Sequence, residues 1–247
     1  PLRHMLECVN PANFFKQEGP AGSVFGGYLW KGAAERNLLA ALEYTMQRDA
    51  SKLFKFSDNI AVGITSKSGE AVTPEYLVEA FKNNPDDLLR AEKGKVLGPL
   101  TDKQNDFLTK LTGMLDEQSD YERAIGIAPD ALWGEDVGAG TYFPHVVIKA
   151  QSKAGREAAA LAGKEAMFDF TRGYQLDRYF STMYEGMQAG ERYADGLITP
   201  VMARIRAGRA AALDAEAAQA LGDIPGALQE FKVMLGKAQQ DGAGAVV

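Results

Sequence analysis

The sequence predicts a mainly α protein: bundle-like helical units joined by a Gly/Pro-rich extended linker, with little or no sheet. Two observations carry that prediction. Apolar residues recur at helical spacing in successive stretches of the chain. Helix-start chemistry is written at Thr73-Pro74-Glu75, at Thr101-x-x-Gln104 and at Thr199-Pro200. What remains between these stretches leaves little room for strands.

Taken in order, the opening to about Tyr28 is punctuated by Gly19-Pro20, Gly22 and Gly26-Gly27, and reads as loop with at most short helical turns. From Lys31 to Arg48, Leu38, Leu39, Leu42 and Met46 mark one helical face. Residues 50–72 are ambiguous: Asn59 to Thr65 carries β-branched residues and could be a short strand, and residues 66–69 form a turn. Thr73 caps a helix to about Lys82, with Pro74 in its first turn and Glu75 meeting the positive end of the dipole. Asn84-Pro85-Asp86-Asp87 starts another short one. Thr101 and Gln104 form a capping box, after which Phe107, Leu108, Leu111, Met114 and Leu115 mark a helix to about Arg123. Residues 128–140, with Pro129 and several glycines, read as the linker. Helix is expected over 154–184, ended by Gly186 and Gly190, then from the Thr199-Pro200 start to Leu221, and last from Asp223-Ile224-Pro225 to about Gln240.

The chain has 247 residues, enough for one large domain or two ordinary ones. The linker divides it into an N-terminal helical unit, 1–128, with a loop-rich start, and a C-terminal helical unit, 129–247. Hydrophobic content of 46% and charged content of 24% exclude disorder throughout. No apolar run approaches the ~20 residues of a membrane helix, and no secretory signal is visible. Pro1 at the start and the Gly/Ala tail from Asp241 read as a segment of a longer chain. A net charge of −6 weighs against a dedicated nucleic-acid binder.

A phosphate loop ending in Gly-Lys-Ser/Thr is missing from the sequence. One cysteine, Cys8, excludes an intrachain disulfide and a Cys-based zinc cluster. The two histidines, His4 and His145, are too far apart in sequence for a His-x-x-x-His metal site. The carboxylate pairs Glu135/Asp136 and Asp116/Glu117 read as solvated charge and not as a glycosidase pair. Arg206 and Arg209 can share a helix face, and with Arg204 they could reach phosphates. Asp214 and Glu216 follow, so a solvated face is the better reading, and DNA contact is weakly supported. No catalytic residue, cofactor or metal is expected.

Two elements stand apart. In Gly140-Thr141-Tyr142-Phe143-Pro144-His145 the proline stiffens an extended segment whose rings require burial, with His145 bonding a carbonyl or a carboxylate. Later comes Arg178-Tyr179-Phe180-Ser181-Thr182-Met183-Tyr184-Glu185-Gly186-Met187-Gln188-Ala189-Gly190, followed by the Ala/Arg helix. This order over about 128–222 resembles a recurrent region of the very large polyvalent, internal virion (DNA-ejection) proteins of tailed bacteriophages. The resemblance implies a structural role, with the chain carried in the virion and delivered into the host cell with the genome. It implies portal, tail or further ejection proteins as partners. The alternatives are a portal or tail assembly protein that is not ejected, and a lytic glycosidase or transglycosylase fragment. Tyr142, Phe143, Pro144, His145, Arg178, Tyr179, Phe180, Met183, Tyr184 and Met187 are the packing and interface candidates. The aromatic and Met surplus over 168–187, rimmed by Arg172, Arg178 and Arg192, points to a homo-oligomer or a contact with another virion protein.

Overall fold

A computed structural model describes residues 20–127, 143–149 and 180–224. Its longest element is α1, Pro20–Leu53. Then come β1 (Lys55–Ser57), β2 (Ile60–Val62), β3 (Ile64–Ser66) and α2 (Pro74–Asn83). A 3-10 turn at Pro85–Asp87 leads into β4 (Leu88–Glu92) and β5 (Lys95–Pro99), and α3 covers Asp102–Ala124. The last described elements are β6 (Val147–Lys149), α4 (Met183–Gln188), β7 (Arg192–Tyr193) and α5 (Ile198–Gly222).

The long helices form one layer. α1 and α5 run antiparallel, as their cross-contacts show: Lys31 meets Glu216, Glu43 meets Arg206, and Gln47 meets Thr199. α3 packs against both, and α2 joins α3 through Lys82 Nζ and Asp116 Oδ1 at 2.6 Å. On α3 the capping box is present: Thr101 accepts from the Gln104 N–H, while the Gln104 side chain accepts from the Thr101 N–H. Thr73 caps α2 in the same way, accepting from the Tyr76 N–H.

The strands form three small antiparallel sheets: β1–β2, β3–β4–β5 and β6–β7. In the central sheet Thr65 lies opposite Leu89, and Leu89 opposite Pro99, with a bulge between Arg90 and Ala91. Both tight hairpins turn through paired positive φ, Asp58 with Asn59 and Lys93 with Gly94, which matches the right-handed twist of the strands they join.

A single hydrophobic core joins these parts. Phe54 and Phe107 lie tilted at 5.9 Å, and Leu77, Val78, Leu88, Leu108 and Leu111 fill its middle. Phe143, Met183, Val201, Met202 and Ile205 belong to the same cluster, so residues from both sides of position 128 contribute to it. Each such side chain contributes about 1.5–3 kcal/mol by leaving water.

The structure corrects the expected fold class. The described residues are 62% helical and 15% strand, so the chain is not mainly α with little or no sheet. The strands escaped the periodicity argument because each spans two to five residues, too few for alternation to register. α1 also begins at Pro20, where loop was expected to about Tyr28. Gly26 and Gly32 are buried in it, and a methyl group at Gly32 would already lie 3.6 Å from Leu213 Cδ1 of α5. At Gly32, contact with α5 offsets the ~1 kcal/mol that a glycine costs inside a helix.

Two further boundaries differ. Residues 180–182 are bends, and Thr182 opens α4 with its own capping box to Glu185, so no helix runs through to 184. α5 begins at Ile198 after Leu197, which makes no side-chain cap, and Thr199 sits inside the first turn. The expected linker at 128–140 and the final helix beyond Ile224 lie outside the described residues, as does the expected helix over 154–179.

Candidate functional site

The resemblance-bearing elements converge on Glu75. Thr73 and Pro74 set the entry of α2 so that Glu75 faces inward instead of meeting the helix dipole in solvent. Its Oε1 lies 2.7 Å from His145 Nε2, where the imidazole N–H donates to the carboxylate. Its Oε2 accepts the Met183 backbone N–H at 2.6 Å. Burial strengthens both bonds, since neither water nor salt screens them there. One carboxylate thus ties the start of α2 to residue 145 and to the first turn of α4.

Neighbouring contacts complete the junction. β6 pairs with β7, Val147 opposite Tyr193, and the Ala194 N–H donates to the Val146 carbonyl at 2.7 Å. The His145 and Tyr193 rings meet edge to face at 5.4 Å. Asn59 Nδ2 donates to the Tyr193 carbonyl at 3.2 Å from the β1–β2 turn. Gly186 presses on the Tyr193 ring so closely that a Cβ there would sit 1.7 Å from the phenolic oxygen. That oxygen in turn donates to Glu191 Oε2 at 2.8 Å.

A second polar centre lies between α3 and α5. Arg204 and Glu122 form two parallel bonds of 2.6 Å, Nη1 to Oε1 and Nη2 to Oε2, with side chains 4% and 1% exposed. Gln118 Nε2 adds a third bond to Glu122 Oε1 at 2.7 Å. Gly208 is the floor of this site. A Cβ there would meet Glu122 Oε1 at 2.0 Å and Gln118 Nε2 at 2.5 Å.

Towards the surface, Glu216 accepts from Lys31 Nζ and from the Tyr121 hydroxyl. The Glu216 hydrogen bond holds Lys31 above its ordinary 10.5. Burial first, and then that same carboxylate, raise Tyr121 above 10.0. Burial pushes Glu216 upward, but the hydrogen bonds from Lys31 and Tyr121 outweigh it and hold the acid below 4.5.

The sequence-predicted residues fall out as follows. Phe143 and Pro144 are buried, and His145 takes the carboxylate option. Met183 is buried in the first turn of α4, Met187 packs on the core, Phe180 is half-buried, and Tyr184 is exposed. Tyr142, Arg178 and Tyr179 lie outside the described residues, as do Arg172 and the Glu135/Asp136 pair. Of the three arginines of α5, Arg204 departs from the solvated-face reading, Arg206 is exposed and Arg209 half-buried. Arg204 is buried on Glu122, Arg206 pairs with Glu43, and Arg209 lies 4.3 Å over the Tyr121 ring.

Sequence reasoning gave Glu75 only a helix-dipole role, and it passed over Gln118, Glu122 and Gly208. A signal existed for two of them. Gln118 and Glu122 continue the stripe of Leu108, Leu111 and Leu115, and polar residues on a core stripe imply a buried partner. Among the described residues no group of three or more His, Cys, Asp or Glu is placed to hold a metal ion, and no helix is long and apolar enough to cross a membrane. Compared with protein-family models, with curated proteins and with solved structures, the chain matches none.

A Glu–His pair can serve as the orienting half of a hydrolytic triad. Here the carboxylate is divided between the imidazole and a backbone N–H, which suits a clamp on three segments.

Proposed function

We propose that this chain is a structural part of a phage internal virion protein, carried in the particle and delivered into the host with the genome. The observation that supports the reading is the Glu75 junction. The two sequence elements that carry the resemblance, one ending at His145 and the other containing Met183, meet on the two oxygens of one buried carboxylate. Elements that recur together in order are accounted for if they form one packed unit whose role is shape. Portal, tail or further ejection proteins and other copies of the chain are the partners of this reading, and the chain is not an enzyme.

The test is quantitative mass spectrometry of purified particles before and after genome release. The expected result is the chain present in full particles and depleted from emptied ones. Retention in emptied particles would instead identify a portal or tail assembly protein, and absence from full particles would end the virion reading. Zymography of the purified chain on peptidoglycan addresses the lytic alternative. A clearing zone lost on changing a single Glu or Asp to its amide would overturn the structural assignment.

A further inference from the structure

The helices neutralise the cations that lie between them, and the β4–β5 hairpin does not. Lys31, Lys82, Arg204 and Arg206 each meet a carboxylate of another helix. Among the described residues, Arg90, Lys93 and Lys95 make no ion pair. Glu92, opposite Lys95, is the acid within this group. In a chain of net charge −6 the hairpin is therefore a local excess of positive charge.

The hairpin also keeps apolar side chains in water. Val96 and Leu97 are 59% and 49% exposed, and every residue from 92 to 97 is exposed. β5 is the outer strand of its sheet among the described residues. Paired residues share a face of a sheet, so Lys95 and Glu92 lie on one face of the outer edge and Val96 and Ala91 on the other. Arg90 shares the face of Lys95. It stands opposite Gly98, which has no side chain, and its Nε reaches across to the Pro99 carbonyl at 2.8 Å. The edge is thus basic on one face and apolar on the other. Glu92 and Lys95 close a two-residue turn, so alternation points the N–H and C=O of Val96 away from β4. Beyond the bulge, Gly98 has a φ of 106° and Pro99 has no N–H, so only a short stretch of β5 can pair with another strand. Side chains then carry most of the recognition.

We propose that the outer edge of β5 is a docking site for an extended, acidic segment of another protein, in which carboxylate and aliphatic side chains alternate. Laid beside β5, such a segment turns its carboxylates to the face of Arg90 and Lys95 and its aliphatic side chains to the face of Val96. Lys93, in the turn, meets the end of the segment. The alternation follows from the strand itself, since successive side chains of an added strand point to opposite faces. Charge selects the partner: a basic or neutral segment leaves the three cations without a counter-charge, and a purely acidic one leaves Val96 in water. The inference is independent of the virion reading and of the 168–187 contact surface.

Fluorescence anisotropy of the full chain with short labelled peptides tests it. A peptide alternating Glu and Val should bind, one alternating Glu and Ser several-fold more weakly, and one alternating Lys and Val not at all. Lys93→Gln/Lys95→Gln should weaken the Glu/Val peptide by about fivefold, through the loss of two opposite-charge contacts. Val96→Ser should weaken it several-fold, and Lys110→Gln, at an exposed site on α3, should leave it unchanged. Circular dichroism of each variant, expected to be unchanged at these exposed sites, confirms folding. Binding should also slow amide exchange at Val96, whose N–H then has a partner in place of water. Failure of the Glu/Val peptide to bind at millimolar concentration would overturn the proposal. So would equal binding of the Lys/Val peptide, or full binding by Lys93→Gln/Lys95→Gln. A single-stranded oligonucleotide that binds more tightly than either acidic peptide would assign the surface to nucleic acid, and would equally overturn it.

Discussion

Arg204 and Glu122 face each other as two parallel hydrogen bonds inside the layer of long helices, with almost no solvent reaching either side chain. A pair of this kind contributes modestly as a whole, because both charges have been desolvated, yet it is costly to halve. Arg204→Met or Glu122→Leu alone should destabilise the fold by about 3–5 kcal/mol, and the double substitution should recover most of that loss. Urea denaturation midpoints of the four proteins measure the coupling directly. Simple addition of the two single effects would show that the ion pair does not act as a unit.

Gly208 and Gly113 are both helix-interior glycines with opposite expectations. At Gly208 a methyl group collides with Glu122 and Gln118, so Gly208→Ala should cost about 2–4 kcal/mol by forcing the buried pair apart. At Gly113 of α3 nothing lies within 4 Å of the added carbon. Gly113→Ala should therefore stabilise by about 0.4–1 kcal/mol, through helix propensity and a less free unfolded chain. Thermal melts of the two variants are expected to shift in opposite directions.

Removing the Glu75 carboxylate strands two donors, the imidazole N–H of His145 and the backbone N–H of Met183. Glu75→Ala should cost about 2–4 kcal/mol, and Glu75→Gln less, since its amide oxygen still accepts one of the two bonds. Amide exchange gives the local readout: protection at Met183 should fall in Glu75→Ala before protection in α3 changes. Equal loss throughout the chain would mean that the junction has no stability of its own to lose.

Stability should decline on the acid side partly through Glu216. Its folded pKa is depressed below 4.5, so its contribution is full above that value and is lost as pH falls through the lower, folded one. Lys31 is raised above 10.5, and its share is full below that value and lost as pH climbs beyond it. Because the Lys31 side chain is 44% exposed, the bridge is worth less than about 1 kcal/mol. Glu216→Gln should accordingly flatten the acid limb of a midpoint-against-pH curve while leaving its slope between pH 6 and 8 unchanged.

The sequence by itself determined the helix starts at Thr73 and Thr101, the core stripe of α3 and the stiffness of the Phe143-Pro144-His145 segment. These depend on neighbours within a turn or two, so local spacing suffices. It also contained the paired turn residues Asp58-Asn59 and Lys93-Gly94, whose hairpins were too short to show an alternating pattern. Tertiary structure alone decided that Glu75 turns inward, because its partners stand 70 and 108 residues away in sequence. The same holds for Arg204, which looks like one more charge on an arginine-rich helix until α3 brings Glu122 against it from 82 residues away. Burial of a charge is a property of the partner that neutralises it, and that partner is chosen by packing and not by the adjacent sequence.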